Sequence, residues 1–151
     1  MKILVDSREK KWENVQKYFD KAGIEYEIKK LDVGDYQMEG HPELSIDRKQ
    51  NLAEVSHNLM NKGDKSRFWR EVRRARETNT KLIVLCEHGG KIHSIPDVAQ
   101  WRDKYSGVSG RTLMDAIYRL VISYGVEVVF CDKRCTGKKI VELLQSGVDT
   151  D

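Results

Sequence analysis

The sequence has few cysteines, and their number and positions exclude two classes of protein. There are three cysteines, an odd number, and Cys86 and Cys131 lie within apolar segments. This pattern indicates reduced thiols in a cytosolic protein rather than the disulfide framework of a small secreted domain. Cys131 and Cys135 are spaced like half of a zinc site, but no second pair completes it, so buried or inert thiols are expected.

Long apolar runs and strong net charge are also missing. No apolar run approaches the roughly 20 residues that a membrane span requires, and the first residues run directly into a predicted strand without a signal-peptide pattern. The net charge is only +3. A value this small does not itself indicate a nucleic-acid partner, so the distribution of charge must decide that question. With 151 residues and no repeat or linker, we expect one domain at 1–145 and a disordered tail at 146–151.

The spacing of apolar residues predicts an α/β domain with a mixed sheet. A short strand precedes a helix that ends at Gly23, and an alternating, half-buried strand is expected over 24–31. The continuous apolar runs at 82–86 and 126–131 predict strands covered on both faces. Asn51 is expected to cap one helix, and Gly125 to end another. The predicted strands after the first two cover 35–39, 44–50, 82–86 and 126–131, and the later helices cover 66–77, 111–124 and 137–144.

Two short segments bring together two carboxylates and a lysine. Eleven residues separate Asp35 from Asp47, and they predict a tight turn between two strands. Because side chains alternate along a strand, Asp47 and Lys49 should point to one face and Arg48 to the other. The hairpin would place Asp35 beside Asp47. Two carboxylates and an ammonium can hold a hard divalent cation and position an attacking water, which predicts a metal-dependent phosphodiesterase.

Each part of this pattern has a structural alternative. Asp6 and Glu9 follow the first strand, where they can cap the next helix as well as bind a ligand. A Gly-Asp pair such as the one at Asp35 is common in turns, and the three successive charges that begin at Asp47 could protect an edge strand from pairing. Buried charges otherwise need a partner or a metal. Because acidic residues recur at the ends of three strands, we favour a metal site over these separate structural explanations.

A basic helix follows the acidic segments. Residues 62–81 contain eight basic and three acidic residues, so this segment alone carries +5, more than the whole chain. Helical spacing places Arg67, Arg70 and Arg74 in one row. A solvated helix face is the ordinary explanation for such a run. Because the guanidinium fork matches phosphate geometry, the one-sided charge favours contacts with successive phosphates of DNA.

Residues 5–9, 31–36 and 46–49 together resemble the motifs of the XPF-like structure-specific endonuclease domain. The hallmark of that family is Gly-Asp, a spacer and Glu-Arg-Lys, a version of the PD-(D/E)xK core of restriction endonucleases. The resemblance covers nearly the whole chain in element order. It implies a restriction-endonuclease-like, three-layer α/β/α domain with a central mixed sheet. The chain would stand alone, because nothing in it is long enough to supply the tandem helix-hairpin-helix domain that eukaryotic and archaeal members usually add.

The resemblance also implies a cofactor, a substrate and a role for each site residue. The acidic side chains and the main-chain carbonyl of Arg48 would bind Mg²⁺ or Mn²⁺, while Lys49 would orient or activate water. Arg8 and Arg48 would contact phosphate or brace the site. The substrate would be branched or flapped duplex DNA, and a homodimer could form through helix 111–124 and the next strand. The expected compartment is the cytosol, or the nucleus in a eukaryote. The implied catalytic and metal-binding carboxylates are Asp6, Glu9, Asp35 and Asp47.

Two positions depart from the family motif. The family usually has Glu at Asp47, and its motif ends with Asp where this chain has Ala53, followed by Glu54. We therefore expect an altered metal geometry, with Glu54 as the only substitute for the missing acid. A non-catalytic DNA-binding or scaffolding subunit of the same fold is the main alternative. A sequence-specific restriction-type endonuclease is a third possibility, although the chain has little length for base-reading loops.

Overall fold

The computed structural model, which describes residues 1–61 and 66–149, is built around a six-stranded mixed sheet. The strand order is β2-β1-β3-β4-β5-β6, and only β3 runs antiparallel to its neighbours. The C-terminal ends of the other five strands therefore meet at one edge of the sheet, where ligands bind in open α/β folds. The strands are β1 (Lys2–Asp6), β2 (Glu25–Lys29), β3 (Tyr36–Met38), β4 (His41–Lys49), β5 (Lys81–Glu87) and β6 (Glu127–Cys131).

Helices cover both faces of the sheet and enclose two apolar cores. One core includes Leu52, Phe68 and Ile117, and the other includes Phe19 and Ile140. This arrangement confirms the predicted α/β fold class with a mixed sheet between two helical layers. No helix in the described part of the chain is long and apolar enough to cross a membrane. The helices are α1 (Glu13–Ala22), α2 (Leu52–Met60), α3 (Arg67–Glu77), α4 (Gly110–Tyr124) and α5 (Thr136–Asp149), with 3₁₀ turns at Ile95–Gln100 and Lys133–Cys135.

The helix boundaries follow from capping residues that the sequence identifies. Gly23 and Gly125 both adopt the left-handed conformation at a helix C-terminus, where a side chain would be strained. Asn51 accepts a hydrogen bond from the amide of Glu54, and Ser66 accepts one from the amide of Trp69. Helices α1, α2, α3 and α4 therefore begin or end close to where the sequence predicts.

Three predicted features differ from the structure. The strand predicted over 24–31 is present as β2, but it is an edge strand and mostly exposed, with Ile28 at 57% exposure, so the predicted half-burial is wrong. β6 is the opposite edge strand and is only partly buried, because no strand pairs with its outer side. α5 continues to Asp149, beyond the end predicted at 144, and Gly147 in this extension lies close to Leu44 of β4. The predicted domain limit at 145 stays a prediction, and residues 62–65, the start of the basic segment 62–81, lie outside the described residues.

Candidate active site

Asp35 lies in a turn that backbone hydrogen bonds hold against β1 and β4. Its amide donates to the carbonyl of Ile46 at 2.7 Å, and its carbonyl accepts from the amide of Asp6 at 2.8 Å. Its Oδ2 accepts from the amide of Arg48 at 2.8 Å. Because Tyr36 pairs with Ile46 in the antiparallel register, Asp35 lies opposite Asp47. The hairpin thus brings these two carboxylates together as predicted.

The turn before Asp35 requires glycine. Gly34 has φ +75, and a Cβ at this position would lie 2.1 Å from Oγ of Ser45. Ser45 is buried and donates its hydroxyl to the carbonyl of Val33 at 2.5 Å. The close packing of β4 against the turn leaves no room for a side chain, and the positive φ would strain one.

Asp47 and Lys49 lie on an interior strand, which excludes the explanation that their charges protect an edge. β4 pairs with β3 on one side and β5 on the other, and Asp47 is buried at 4% exposure. Lys49 Nζ lies 3.1 Å from Asp47 Oδ2 and 5.0 Å from the ring centroid of Phe68. The Asp47 Oδ2 atom still makes no hydrogen bond within the described residues, because the direction of this ion pair does not meet the geometry of one.

The electrostatics of Lys49 keep it protonated. Burial lowers the pKa of the ammonium, but the carboxylates of Asp47, Glu54 and Asp35 outweigh burial, and the pKa is raised overall. An ammonium donates hydrogen bonds and cannot accept a proton, so this side chain is suited to stabilising negative charge. Glu54 lines the same cleft as Lys49, whereas Ala53 is exposed on α2.

Arg48 points away from Asp47 into a buried ion-pair network. Its Nε donates to Glu9 Oε2 at 2.9 Å, its Nη1 to Glu87 Oε1, and its Nη2 to the carbonyl of Lys10 at 2.6 Å. The Arg48 and Glu87 side chains are each 2% exposed and the Glu9 side chain is 8% exposed. Arg48 therefore braces the loop after β1 against β4 and β5. Of the two roles implied for this residue, the arrangement fits bracing and leaves the guanidinium no access to phosphate.

Asp6 is likewise occupied by hydrogen bonds. Its Oδ1 accepts from the amide of Leu31 at 2.9 Å, and its Oδ2 accepts from Nε of Arg8 at 3.0 Å. The Arg8 side chain is 46% exposed and also donates to the carbonyl of Leu31 at 3.1 Å. The structure thus brings Asp6 and Glu9 to the sheet edge near Asp35, but gives each carboxylate an arginine partner.

Glu71 is a site residue that the sequence patterns did not single out. It lies on α3 and its Oε1 accepts from the amide of Gly34 at 2.6 Å. Burial and the charge of Asp47 raise the pKa of Glu71 to about 7. Its position was readable in the sequence, because the helical period places it on the same face as Arg67 and Arg74. Glu71 is not identified from the sequence, because the row of arginines on the same helix is interpreted there only as a phosphate-binding surface.

Asp35, Asp47 and Glu71 form a set of neighbouring carboxylates, and burial and their mutual repulsion raise the pKa of Asp35 and of Glu71. Burial raises the pKa of Asp35 well above its usual range, and the charges of Asp47, Glu9 and Glu71 raise it further. The hydrogen bond from the Arg48 amide opposes this shift only in part. Such a set is electrostatically costly in a folded protein unless protons or a cation neutralise it.

Two clefts meet at these carboxylates. A cavity of about 210 Å³ extends along α3, and one of about 320 Å³ extends past Asp47 and Lys49. Arg8, Asp35, Arg67 and Glu71 line both. The predicted arginine row lies along the first cleft, where Arg67, Arg70 and Arg74 are exposed. Nη1 of Arg74 also donates to the carbonyl of Asp32 at 2.7 Å.

The residues present are suited to a divalent cation, although they do not form a complete ligand set. Among residues 1–61 and 66–149, no group of three His, Cys, Asp or Glu side chains is placed to hold a metal ion. Asp35 and Asp47 nonetheless supply hard oxygen donors, and the Asp47 Oδ2 atom is buried without a hydrogen bond. An oxygen in that state, beside a second carboxylate, is what Mg²⁺ or Mn²⁺ would satisfy.

The chain belongs to the ERCC4 domain family, whose model matches residues 5–143. This confirms the resemblance to the XPF-like nuclease domain. The fold is similar to that of XPF from Aeropyrum pernix, with a TM-score of 0.73 and 18% sequence identity over 99% of this chain and 66% of that one. A structure described as XPF from Aeropyrum pernix in complex with DNA aligns with a TM-score of 0.70 and 20% identity, over 98% and 65%. The chain thus spans about two-thirds of the length of these structures. No curated protein matches the chain.

Proposed function

We propose that the protein is a metal-dependent DNA endonuclease that hydrolyses phosphodiester bonds. The observation that carries this proposal is the pairing of the half-buried Asp35 with the buried Asp47, whose Oδ2 atom makes no hydrogen bond, at the junction of two clefts bordered by arginines. Membership of the ERCC4 domain family supports it. The structural similarity to XPF from Aeropyrum pernix in complex with DNA supports DNA as the partner.

Asp35 and Asp47, with the main-chain carbonyl of Arg48, would hold the Mg²⁺ or Mn²⁺ ion. A bound ion would polarise the phosphate and lower the pKa of the attacking water. Asp6 and Glu9 stay in the proposed acidic cluster as residues that would have to leave their arginine partners before they could bind a second ion.

The remaining side chains would bind and orient the substrate. Lys49 is protonated, so it would donate to a phosphate oxygen as negative charge develops, rather than remove a proton from water. Arg67, Arg70 and Arg74 would contact successive phosphates along the first cleft. Arg8 is exposed at the edge of both clefts and would reach a phosphate beside the carboxylates.

Cleavage assays with Mg²⁺ and with Mn²⁺ on a splayed-arm duplex, a flap and a linear duplex test this function. We expect wild type to cut the two branched substrates faster, and Asp35→Ala and Asp47→Ala to bind DNA without cutting it. Equal cutting of linear and branched DNA would remove the proposed preference for branches. No cutting by wild type with either ion would contradict the enzymatic proposal.

A non-catalytic DNA-binding or scaffolding subunit is the second candidate. It is favoured by the lack of a complete ligand set within the described residues and by the arginine partners of Asp6 and Glu9. This candidate predicts that wild type binds branched DNA in the presence of Mg²⁺ and leaves it intact, with the same affinity as Asp35→Ala. The cleavage assay and an anisotropy titration therefore separate the two candidates.

We further propose a homodimer through α4 and β6. Ile122 is 79% exposed and Tyr124 is 39% exposed on α4, and β6 is a partly buried edge strand. Exposed apolar groups beside an open strand edge are suited to pairing with a second copy. Light scattering at several protein concentrations tests this proposal. We expect Ile122→Glu to give a monomer, whereas a monomeric wild type would contradict the assignment.

A further inference from the structure

The turn that carries Asp35 consists of residues 32–35, and each of the four residues makes a hydrogen bond to a neighbouring element. Two of these hydrogen bonds are made with side chains of α3. The carbonyl of Asp32 accepts from Arg74, and the amide of Gly34 donates to Glu71. β4 holds the other two residues, because Ser45 donates to the carbonyl of Val33 and the carbonyl of Ile46 accepts from Asp35. The helix that carries the arginine row is thereby connected directly to the turn that carries Asp35.

Of the two α3 residues that hold the turn, Glu71 makes its hydrogen bond closer to Asp35 than Arg74 does. Its bond to Gly34 joins the residue immediately before Asp35, and the distance of 2.6 Å is short for an amide donor. Gly34 packs closely on one side, since an added Cβ would meet Ser45 and the carbonyl of Ile46. Loss of the Glu71 oxygen would therefore remove the partner of the part-buried Gly34 amide and the connection to α3 that lies next to Asp35.

We propose that Glu71 is a positioning residue that holds the Asp35 turn against α3, so that phosphate contacts along α3 and the placement of the Asp35 carboxylate depend on each other. This inference rests on the proposed nuclease function, and it adds a residue outside the Gly-Asp and Asp-Arg-Lys motifs. Glu71 acts through an acceptor oxygen, which glutamine also possesses. The role therefore needs the oxygen of the side chain and not its negative charge.

Four variants test the proposal: Glu71→Gln keeps the acceptor, Glu71→Ala removes it, Glu71→Asp shortens it, and Glu77→Ala is the control. Glu77 is the other acidic residue of α3 and is exposed. Thermal melting first establishes that each variant is folded. The shorter Glu71→Asp keeps the test possible if Glu71→Ala fails to fold, because it retains the charge but cannot reach Gly34 from the same backbone position.

The first measurement is independent of metal and of cleavage. In a ¹⁵N–¹H correlation spectrum of the apo protein, the Gly34 amide proton should resonate downfield in wild type and in Glu71→Gln, because both retain a short hydrogen bond. It should move upfield and exchange faster in Glu71→Ala and Glu71→Asp. An unchanged Gly34 resonance in Glu71→Ala would overturn the proposal, whatever the outcome of the nuclease assays.

The second measurement concerns metal and catalysis. Loss of one amide hydrogen bond corresponds to about a tenfold change, so Glu71→Ala should lower Mn²⁺ affinity and kcat by about this factor, with KM for flap DNA changed less than twofold. Glu77→Ala should stay within about twofold of wild type, and Glu71→Gln should retain clearly more Mn²⁺ affinity and kcat than Glu71→Ala. If Glu71→Gln is as impaired as Glu71→Ala, the charge matters and the positioning role is wrong. A wild type that cuts no DNA, but shows the expected Gly34 shifts, would reject the nuclease function while leaving the connection to α3 intact.

Discussion

Two sets of carboxylates lie at the same edge of the sheet, and they differ in how their charge is balanced. Asp6 faces Arg8, while Glu9 and Glu87 share Arg48. In the second set, Asp35 and Glu71 accept hydrogen bonds from backbone amides, and within residues 1–61 and 66–149 the one ion pair is that of Asp47 with Lys49.

We interpret this difference as separating carboxylates that stabilise the fold from those that we propose bind the cation. The charges of the first set are satisfied by arginines and backbone amides, so these residues stabilise the fold around the site. In the second set, burial and the neighbouring carboxylates raise the pKa values of Asp35 and Glu71, and the Asp47 Oδ2 atom has an ion pair but no hydrogen bond. The resemblance to the family motif placed Asp6 and Glu9 in one cluster with Asp35 and Asp47. In the structure, Asp6 and Glu9 have arginine partners, whereas Asp47 has Lys49.

The largest expected effect is on cleavage by variants of the second set. Asp35→Asn and Asp47→Asn should reduce kcat by about 10³-fold or more, because a metal ligand contributes several kcal/mol to transition-state stabilisation. Asp35→Asn should keep or raise the melting temperature, since it removes repulsion between carboxylates, whereas Asp47→Asn also loses the ion pair with Lys49. Single-turnover cleavage and thermal melting measure the two effects, with the exposed Asp115→Asn as control. A large loss of stability without loss of cleavage would contradict the comparison.

The first set should behave in the opposite way. Arg48→Met leaves Glu9 and Glu87 buried without their shared partner, and breaking such a buried network costs about 3–5 kcal/mol. Urea unfolding should show this loss of stability. Cleavage should fall only in proportion to the folded fraction and to any displacement of the Lys49 side chain. The control is Arg134→Met, which removes an exposed ion pair with Asp132 and should change the midpoint little. Equal midpoints for the two variants would show that the network does not brace the fold.

The arginine row should affect substrate binding more than chemistry. Arg70→Ala should weaken DNA binding several-fold and reduce the slope of log K against log salt by about 1, because one phosphate contact is lost. Fluorescence anisotropy at a series of salt concentrations measures both, in Ca²⁺ or without metal to prevent cutting. Arg119→Ala, exposed on α4, is the matched control. An unchanged salt slope in Arg70→Ala would place the DNA elsewhere.

The smallest expected effect is a pH dependence of stability in the second set. The pKa of Glu71 is about 7 in the folded state against 4.5 for the free side chain, so between these values the folded state retains a proton that the unfolded state has lost. The free energy of unfolding contributed by this group therefore falls as pH rises from 4.5 to 7. Melting curves at pH 5.5 and 7.5 should show a smaller difference for Glu71→Gln than for wild type. If the melting temperature depends on pH equally in both proteins, the pKa of Glu71 is not raised in the folded state.

The fold and the Asp35–Asp47 juxtaposition could be predicted from the sequence because local rules decide them. Apolar runs identified β5 and the central part of the sheet, Asn51 and Gly125 identified helix ends, and the alternation of side chains separated Asp47 from Arg48. The exposure of β2 could not be predicted, because alternation does not say whether a strand lies at the edge of a sheet.

The partners of the charged residues could not be predicted from the sequence either, because they lie far apart along the chain. Glu87 pairs with Arg48 only because β5 lies beside β4, a contact between residues 39 positions apart. Glu71 reaches Gly34 across 37 positions. Sequence spacing shows which residues share a helix or strand face. It does not show that Asp6 and Glu9 would be occupied by arginines while Asp47 keeps an unsatisfied oxygen.

Calorimetric titration of the apo protein with Mn²⁺ tests the central claim most directly, because it measures whether the second set of carboxylates, and not the first, takes up the cation. We predict saturable binding by wild type, its loss in the Asp35→Asn/Asp47→Asn double variant, and its retention in the Asp115→Asn control. Failure of wild type to bind Mn²⁺ at millimolar concentrations, or undiminished binding by the double variant, would contradict the account.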